Sequence, residues 1–375
     1  MQEIKKRRIV IASVLKPVND PRMFEKMALT LARQYEVHIF GTAADVNQQS
    51  DSVFFHPLLL FKRVSADRLL APLKLLRKII ALKPSLVIIC THELLWMVLL
   101  AKLLVRCRIT YDIRENYFRN ILYTNAFPPV LRIFIALYVR CKEWITAPFI
   151  DCFYLAEAGY AEELSFVNDK TIVIENKLKK IEVVAGKKWS HTDGNIHLLF
   201  SGTLAPTTGV FTAIGLAKAL YKDCNRIRLH IVGFSPMQSV REEIRQTVQE
   251  RSFIEYQDSS QPVPHAEILR AIQKADAGII AYPPNRSTIN TVPTKLYEYL
   301  GYSLPILLID HPVWTKMCMP YPAAVTFDPA NPDVKSLLDA LLNTRFYQAP
   351  ASLAFWESEE QKLLQSIAEE INKTI

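Results

Sequence analysis

Two hydrophobic rhythms alternate along this chain. Short β-branched runs are followed by stretches in which apolar residues recur every three or four positions, which predicts strands alternating with helices and parallel βαβ units. Residues 8–14 read as the first strand, 23–34 as a helix with Phe24, Met27, Ala28, Leu31 and Ala32 on one face, and 36–41 as the second strand. A basic amphipathic helix at 67–82, a strand at 85–91, a helix at 94–105 and a strand at 108–113 follow. Pro128 and Pro129 open a helical stretch at 130–144, and strands at 152–155 and 171–176 close the first half.

The second half restarts the pattern. Strands are predicted at 196–202, 228–233, 253–256, 277–282 and 305–310, helices at 210–221, 240–249, 266–274 and 295–302, and a last helical pattern at 352–373. Between the halves, residues 177–195 are lysine-rich and polar, with two glycines, and read as the interdomain connection. The fold class is therefore α/β: two Rossmann-like parallel-sheet domains, residues 1–180 and 190–350, facing across a cleft. The final helix is placed to pack back onto the first. In such sheets ligands bind beyond the carboxyl ends of strands, near the point where strand order reverses. The loops after Val14, Ile89, Ile113, Phe200, Val232 and Tyr282 are then where chemistry is expected.

A length of 375 residues agrees with two domains, and 50% apolar with 22% charged residues is a globular composition. The net charge of +8 favours an anionic partner. Cys90, Cys107, Cys141, Cys152, Cys224 and Cys318 form no CxxC pair, so they read as buried or partly buried thiols of a reducing compartment. No secretory signal core and no apolar run of about twenty residues is evident, which points to a cytoplasmic location, with contact at the inner face of a membrane compatible with the charge. Residues 58–83 alternate apolar and basic positions at helical spacing, as in a helix lying on an anionic membrane or one packing its apolar face on the sheet. No GxGxxG opens either half, which disfavours a nicotinamide dehydrogenase, and no recognition motif supports nucleic-acid binding.

An ordered set of segments carries a family resemblance. VPTKLYEYLGYSLPIL (292–307) resembles the P-x-K-x-x-E-Y segment of the retaining glycosyltransferases of family four, which have the GT-B fold. ADAGIIAYPP (275–284), LLFSGTLAPTTGVFTAI (198–214), NDPRMFEKMALTLARQYEVHIF (19–40), ITYDIREN (109–116) and FYLAEAGYAEEL (153–164) are similar to further segments of that family, in the same order. The resemblance implies transfer of a sugar, with retention, from a nucleoside-diphosphate sugar to a hydroxyl of a glycan or lipid-linked acceptor, with no cofactor and no required metal. It points to polysaccharide or glycolipid biosynthesis.

It also implies site residues. Gly202, Thr203, Thr208, Lys295 and Glu298 are expected at the donor. Glu298 would accept the ribose hydroxyls, and Lys295 with its helix N-terminus would face the phosphates. The Lys295–Glu298 spacing fits a surface i,i+3 pair as well. The family usually carries Arg or Lys where this chain has Thr208, and often a glutamate where it has Asn290. His92, Asn290, Asp112 and Glu115 are the catalytic candidates, although His92 also fits a helix cap and Asp112 an ion pair with Arg114. Asn19, Asp20 and Arg22 in the first loop are expected at the acceptor, or in a helix cap. Two rivals stand beside it: a GT-B sugar-nucleotide epimerase, which would need two acid/base groups flanking one sugar, and a catalytically inactive sugar-nucleotide or glycan-binding subunit, which the departures at Thr208 and Asn290 motivate.

Overall fold

Strands with no polar alternation need cover on both faces. Leu86–Ile89, Ala277–Ile280 and Ile306–Ile309 are buried at every position. Parallel sheets supply that cover, because each crossover lays a helix on one face or the other. The computed structural model describes residues 6–44, 50–57, 66–123, 127–167, 169–180, 193–283 and 290–373, with the side chains of 66–69 excepted. The calls on 58–65, on the joint at 181–192 and on the loop at 284–289 lie outside the described residues.

The chain divides into two units, Met1–Lys179 with Trp356–Ile375, and Lys180–Phe355. The first contains β1 (Arg8–Pro17), α1 (Leu29–Leu31), β2 (Glu36–Thr42), β3 (Val53–Pro57), α2 (Ala66–Leu82), β4 (Leu86–Ile89), α3 (Leu95–Val105), β5 (Arg108–Ile113), α4 (Tyr117–Tyr123), α5 (Pro129–Thr146), β6 (Cys152–Leu155), α6 (Tyr160–Glu163) and β7 (Thr171–Val173). The second contains β8 (Ile196–Thr203), α7 (Val210–Asp223), β9 (Ile227–Phe234), α8 (Gln238–Val248), β10 (Ile254–Gln257), α9 (His265–Lys274), β11 (Ala277–Ile280), α10 (Thr294–Gly301), β12 (Ile306–Ile309), α11 (Pro312–Cys318), β13 (Ala324–Phe327) and α12 (Val334–Asn343). The last helix, α13 (Glu357–Asn372), belongs to the first unit.

The sheets run β3-β2-β1-β4-β5-β6-β7 and β10-β9-β8-β11-β12-β13, and every pairing among the described residues is parallel. Strand order reverses between β1 and β4 in one unit and between β8 and β11 in the other. Those two gaps are the ligand-binding switch points of doubly wound sheets. Alternate residues of β1 feed opposite cores: Val10, Ala12 and Val14 pack with α2 and α3, whereas Ile9 and Ile11 pack with the first helix and α13.

Several expectations need correction. The first helix is π-helical over Arg22–Ala28 before α1, with a Lys26 N–H bonded to the Pro21 carbonyl at 3.1 Å. Six of its seven residues are buried. The terminal helical pattern breaks at Phe355, whose backbone is extended, because the chain returns there to the first unit. Trp356, fully buried, then donates its backbone N–H to Leu178 at 2.6 Å and its indole N–H to Thr30 at 3.0 Å. β3, α4, α11, β13 and α12 are additions to the expected elements. Cys141 is exposed rather than buried, since it lies on the outward face of α5.

Candidate functional site

At the second switch point three glycines bring backbones together. Gly202 ends β8 with φ +97°, and Gly209 opens α7 with φ +83°, both conformations that side chains disfavour. A β-carbon on Gly209 would stand 1.8 Å from the Ala281 carbonyl oxygen, so the start of α7 is flush with the end of β11. One on Gly233 would stand 1.9 Å from the Gly202 oxygen, which closes β9 onto β8. Gly278 makes room for a ring: its β-carbon would meet Tyr299 at 2.3 Å. Tyr299 crosses β11 there and its hydroxyl pairs with Ser201 at 3.0 Å. That anchor fixes α10 against the sheet and sets where Lys295 and Glu298 point.

Lys295 is buried, and its Cε lies 3.9 Å from the ideal β-carbon position of Gly202. Among the described residues its Nζ has no hydrogen-bond partner. The rings of Phe200, at 4.2 Å, and Tyr282, at 5.0 Å, face it. Burial pushes the ammonium down to about 7, although the Glu298 charge works in the opposite direction. A cation taken out of water without an acceptor is costly, and an anion placed beside it would offset that cost.

Glu298 is mostly buried and its Oε1 is bonded to His265 Nε2 at 2.8 Å. His265 opens α9 and was not among the expected residues; nothing in its local sequence marks it, because it reaches Glu298 across 33 positions. Thr203 is exposed at the β8 end. The Thr208 hydroxyl caps its own turn, accepting from the Ala205 N–H at 3.1 Å and donating to the Thr203 carbonyl at 2.7 Å. It supplies no substitute for a cation. Asn290 is partly exposed, next to Thr291, whose carbonyl accepts from the Trp314 indole at 2.8 Å.

In the first unit the expected residues form a charged lattice beyond β1 and β5. Asp112 is fully buried and accepts from Arg22 at 2.6 Å and from Arg114 at 2.9 Å. Arg114 continues to Asp20 at 2.9 Å, and Asp20 caps the first helix at the Met23 N–H, 3.0 Å away. Burial alone would raise both carboxyls, but the two arginines hold Asp112 below the usual range and Arg114 does the same for Asp20. This pairing gives Asp112 a structural role in holding the two arginines, while Arg22 keeps its Nη1 without a hydrogen-bond partner among the described residues. Asn19, partly exposed, sits at the rim of this lattice.

Glu115 reaches outward and accepts from Asn120 at 2.7 Å. His92 follows β4, stands edge-on to Tyr117, and has Nδ1 2.9 Å from Lys142 Nζ. Burial lowers Lys142 to about 8 and raises the neighbouring Glu143 to about 7. Neither of these was anticipated, since in sequence they sit on an ordinary amphipathic helix. Among the described residues no group of three or more His, Cys, Asp or Glu side chains is placed to hold a metal ion.

Solved structures share this arrangement over nearly the whole chain. Sucrose-phosphate synthase from Thermosynechococcus elongatus matches with a TM-score of 0.70 at 14% identity, covering 98% of this chain and 100% of that one. The fold is GT-B. Anabaena HepE in complex with UDP-glucose matches at 0.67 and 11%, covering 97% and 100%. An α,α-trehalose-phosphate synthase (UDP-forming) from Burkholderia vietnamiensis matches at 0.64 and 11%, covering 98% and 100%. No protein-family model matches the sequence, and no curated protein matches it closely. The likeness establishes the fold; what the site does is argued from its residues.

Proposed function

We propose that this chain is a glycosyltransferase of the retaining GT-B type, moving a hexose from a nucleoside-diphosphate sugar to a hydroxyl of a glycan or lipid-linked acceptor. The observation that carries the reading is Lys295: a buried ammonium without an acceptor among the described residues, beside the Gly202 turn and one helical turn before Glu298. A diphosphate laid over Gly202 and Thr203 would take the Lys295 charge and the free N–H groups at the start of α7. Its ribose would then meet Glu298. Three of the structural matches, all of Anabaena HepE, are described as complexes with UDP, with UDP and glucose, or with UDP-glucose, in keeping with a donor of this class.

In the reaction the bond between the sugar anomeric carbon and the diphosphate oxygen breaks, and a bond from that carbon to the acceptor oxygen forms. The acceptor proton leaves with the departing diphosphate. The main assistance is electrostatic, because negative charge grows on the diphosphate as it departs and Lys295 is fixed beside it in a dry setting. The first unit would hold the acceptor, with His92 after β4 and with Asp20 and Arg114 beyond β1 and β5. No metal or cofactor enters this reading.

A thermal-shift panel of UDP, GDP, dTDP, CMP and NAD on wild type, Glu298→Ala and Lys295→Met tests it. One nucleoside diphosphate should raise the wild-type midpoint, by about 2.7 kcal/mol of stabilisation at ~100 times its dissociation constant, and the shift should collapse in both variants. A response to NAD alone, or to none, rejects the donor site. Binding without release of nucleoside diphosphate from a cognate donor would indicate the inactive binding subunit.

A further inference from the structure

Helix α5 is inverted relative to an ordinary surface helix. Its inward positions carry Lys142, Glu143 and Thr146 after Ala136 and Val139, with Arg140 stacked on Phe118 and Phe166. Its outward positions are apolar: Val130, Phe134, Leu137, Tyr138, Trp144 and Ile145 are 49% to 72% exposed. The adjoining α3 does the same with Trp96, Leu100, Leu103 and Leu104, 43% to 79% exposed. α3 packs against α5 on one side and α2 on the other, so the rows adjoin, and α2 adds exposed Leu70 and Leu73. An apolar face spread over three helices is far beyond what a protein normally leaves in water.

The charge on this face identifies what covers it. Residues 70–151 contain twelve Lys or Arg and five Asp or Glu; Asp151 pairs with Lys102 and Arg108, and Lys142 is buried. Of those acids Asp112 and Glu143 are buried, and Glu93 and Glu115 are partly so. Lys74, Arg77 and Lys78 are exposed along α2, beside the apolar rows. We propose that the α2–α3–α5 face docks on an anionic lipid bilayer. Its leucines and aromatics would enter the acyl boundary while the cations meet headgroups. No described helix is long and apolar enough to cross a membrane, so the face lies on the surface. A second copy is a poorer occupant, because a two-fold contact lays the face on itself and sets cations against cations. The proposal is independent of the donor-site reading, and it shifts the membrane contact expected at 58–83 onto α3 and α5.

Density-gradient flotation of the full chain tests this, with vesicles of phosphatidylcholine alone and of phosphatidylcholine mixed with phosphatidylglycerol. Wild type should float with the mixed vesicles at roughly tenfold higher affinity than with the neutral ones. Its tryptophan emission should shift to the blue. The combined variant Phe134→Gln, Leu137→Gln, Trp144→Gln should stay with the free protein yet keep its thermal midpoint, since these side chains already face solvent. Lys74→Glu with Arg77→Glu and Lys78→Glu should erase the preference for anionic vesicles, which checks the charge argument without touching the apolar rows. Three results overturn the proposal: no flotation with either vesicle, equal binding to both, or a wild-type dimer that the glutamine variant dissociates while neither form floats.

Discussion

The Lys295 ammonium lies 4.2 Å from the centre of the Phe200 ring, and no acceptor among the described residues completes its shell. A ring face offsets only part of the hydration that the cation has lost. Without ligand the residue is therefore a liability to the fold. Lys295→Met should stabilise the second unit at pH 7 by on the order of 2–4 kcal/mol while removing nucleotide binding. The folded-state value of about 7 lies below the ordinary 10.5, so between those pH values the unfolded chain holds the extra proton. Wild-type stability then rises with pH across that window, and the methionine variant's advantage fades toward pH 10.5. Urea unfolding at both ends of the window checks this; a lower midpoint for the variant at pH 7 contradicts it.

The same group should make donor binding pH-dependent. A nucleoside-diphosphate sugar keeps a constant phosphate charge near neutrality, so a titration there belongs to the protein. Binding holds Lys295 protonated, and affinity should fall by about tenfold per pH unit above pH 7. Calorimetry in buffers of different ionisation enthalpy should register proton uptake. A flat profile would mean that the diphosphate does not reach Lys295.

His265 and Glu298 should separate into a binding group and its support. Glu298→Ala removes the acceptor for the ribose and should weaken nucleoside-diphosphate binding roughly 10- to 100-fold. His265→Ala leaves the carboxylate in place but frees its Oε1, so a loss of less than about tenfold is expected. Equal losses in titration calorimetry would place His265 on the ligand itself.

Gly278 and Tyr299 are predicted to be coupled. A β-carbon at Gly278 would stand 2.3 Å from the ring, so Gly278→Ala should cost about 3 kcal/mol and lift α10. Tyr299→Phe loses the Ser201 partner at 3.0 Å and should cost about 1 kcal/mol. A double variant that destabilises by the simple sum would argue against the contact.

Asp112→Asn leaves two buried guanidinium groups short of a counter-charge and should cost about 3–5 kcal/mol. The arginines hold the wild-type carboxyl below its ordinary 3.8, so this contribution is complete at neutral pH and is lost as pH falls through the acid range. The variant should therefore show a flatter acid limb in unfolding experiments. Activity lost without any loss of stability would return Asp112 to the chemistry.

Much of the fold was legible from the sequence because parallel βαβ units write themselves in one dimension. The buried runs at 86–89, 277–280 and 306–309 could only be interior strands. Gly202, Lys295 and Glu298 lie within local segments, so the family resemblance of those segments could nominate them. Short or edge elements escaped: β3, with Phe54 exposed, shows no alternation, and β13 has only four residues.

What only the tertiary structure decided are relations between distant residues. Asp112 and Arg114 are two positions apart, but Arg22 arrives from 90 positions away, and its arrival makes Asp112 structural. His265 reaches Glu298 across 33 positions, and Gly278 is defined by a ring 21 positions later that sequence cannot place over it. The inverted polarity of α5 is the clearest case. Its amphipathic period is plain in the sequence, yet period alone cannot say which stripe faces inward. That is decided by burial: Lys142 and Glu143 find partners inside, and the apolar stripe is left outside.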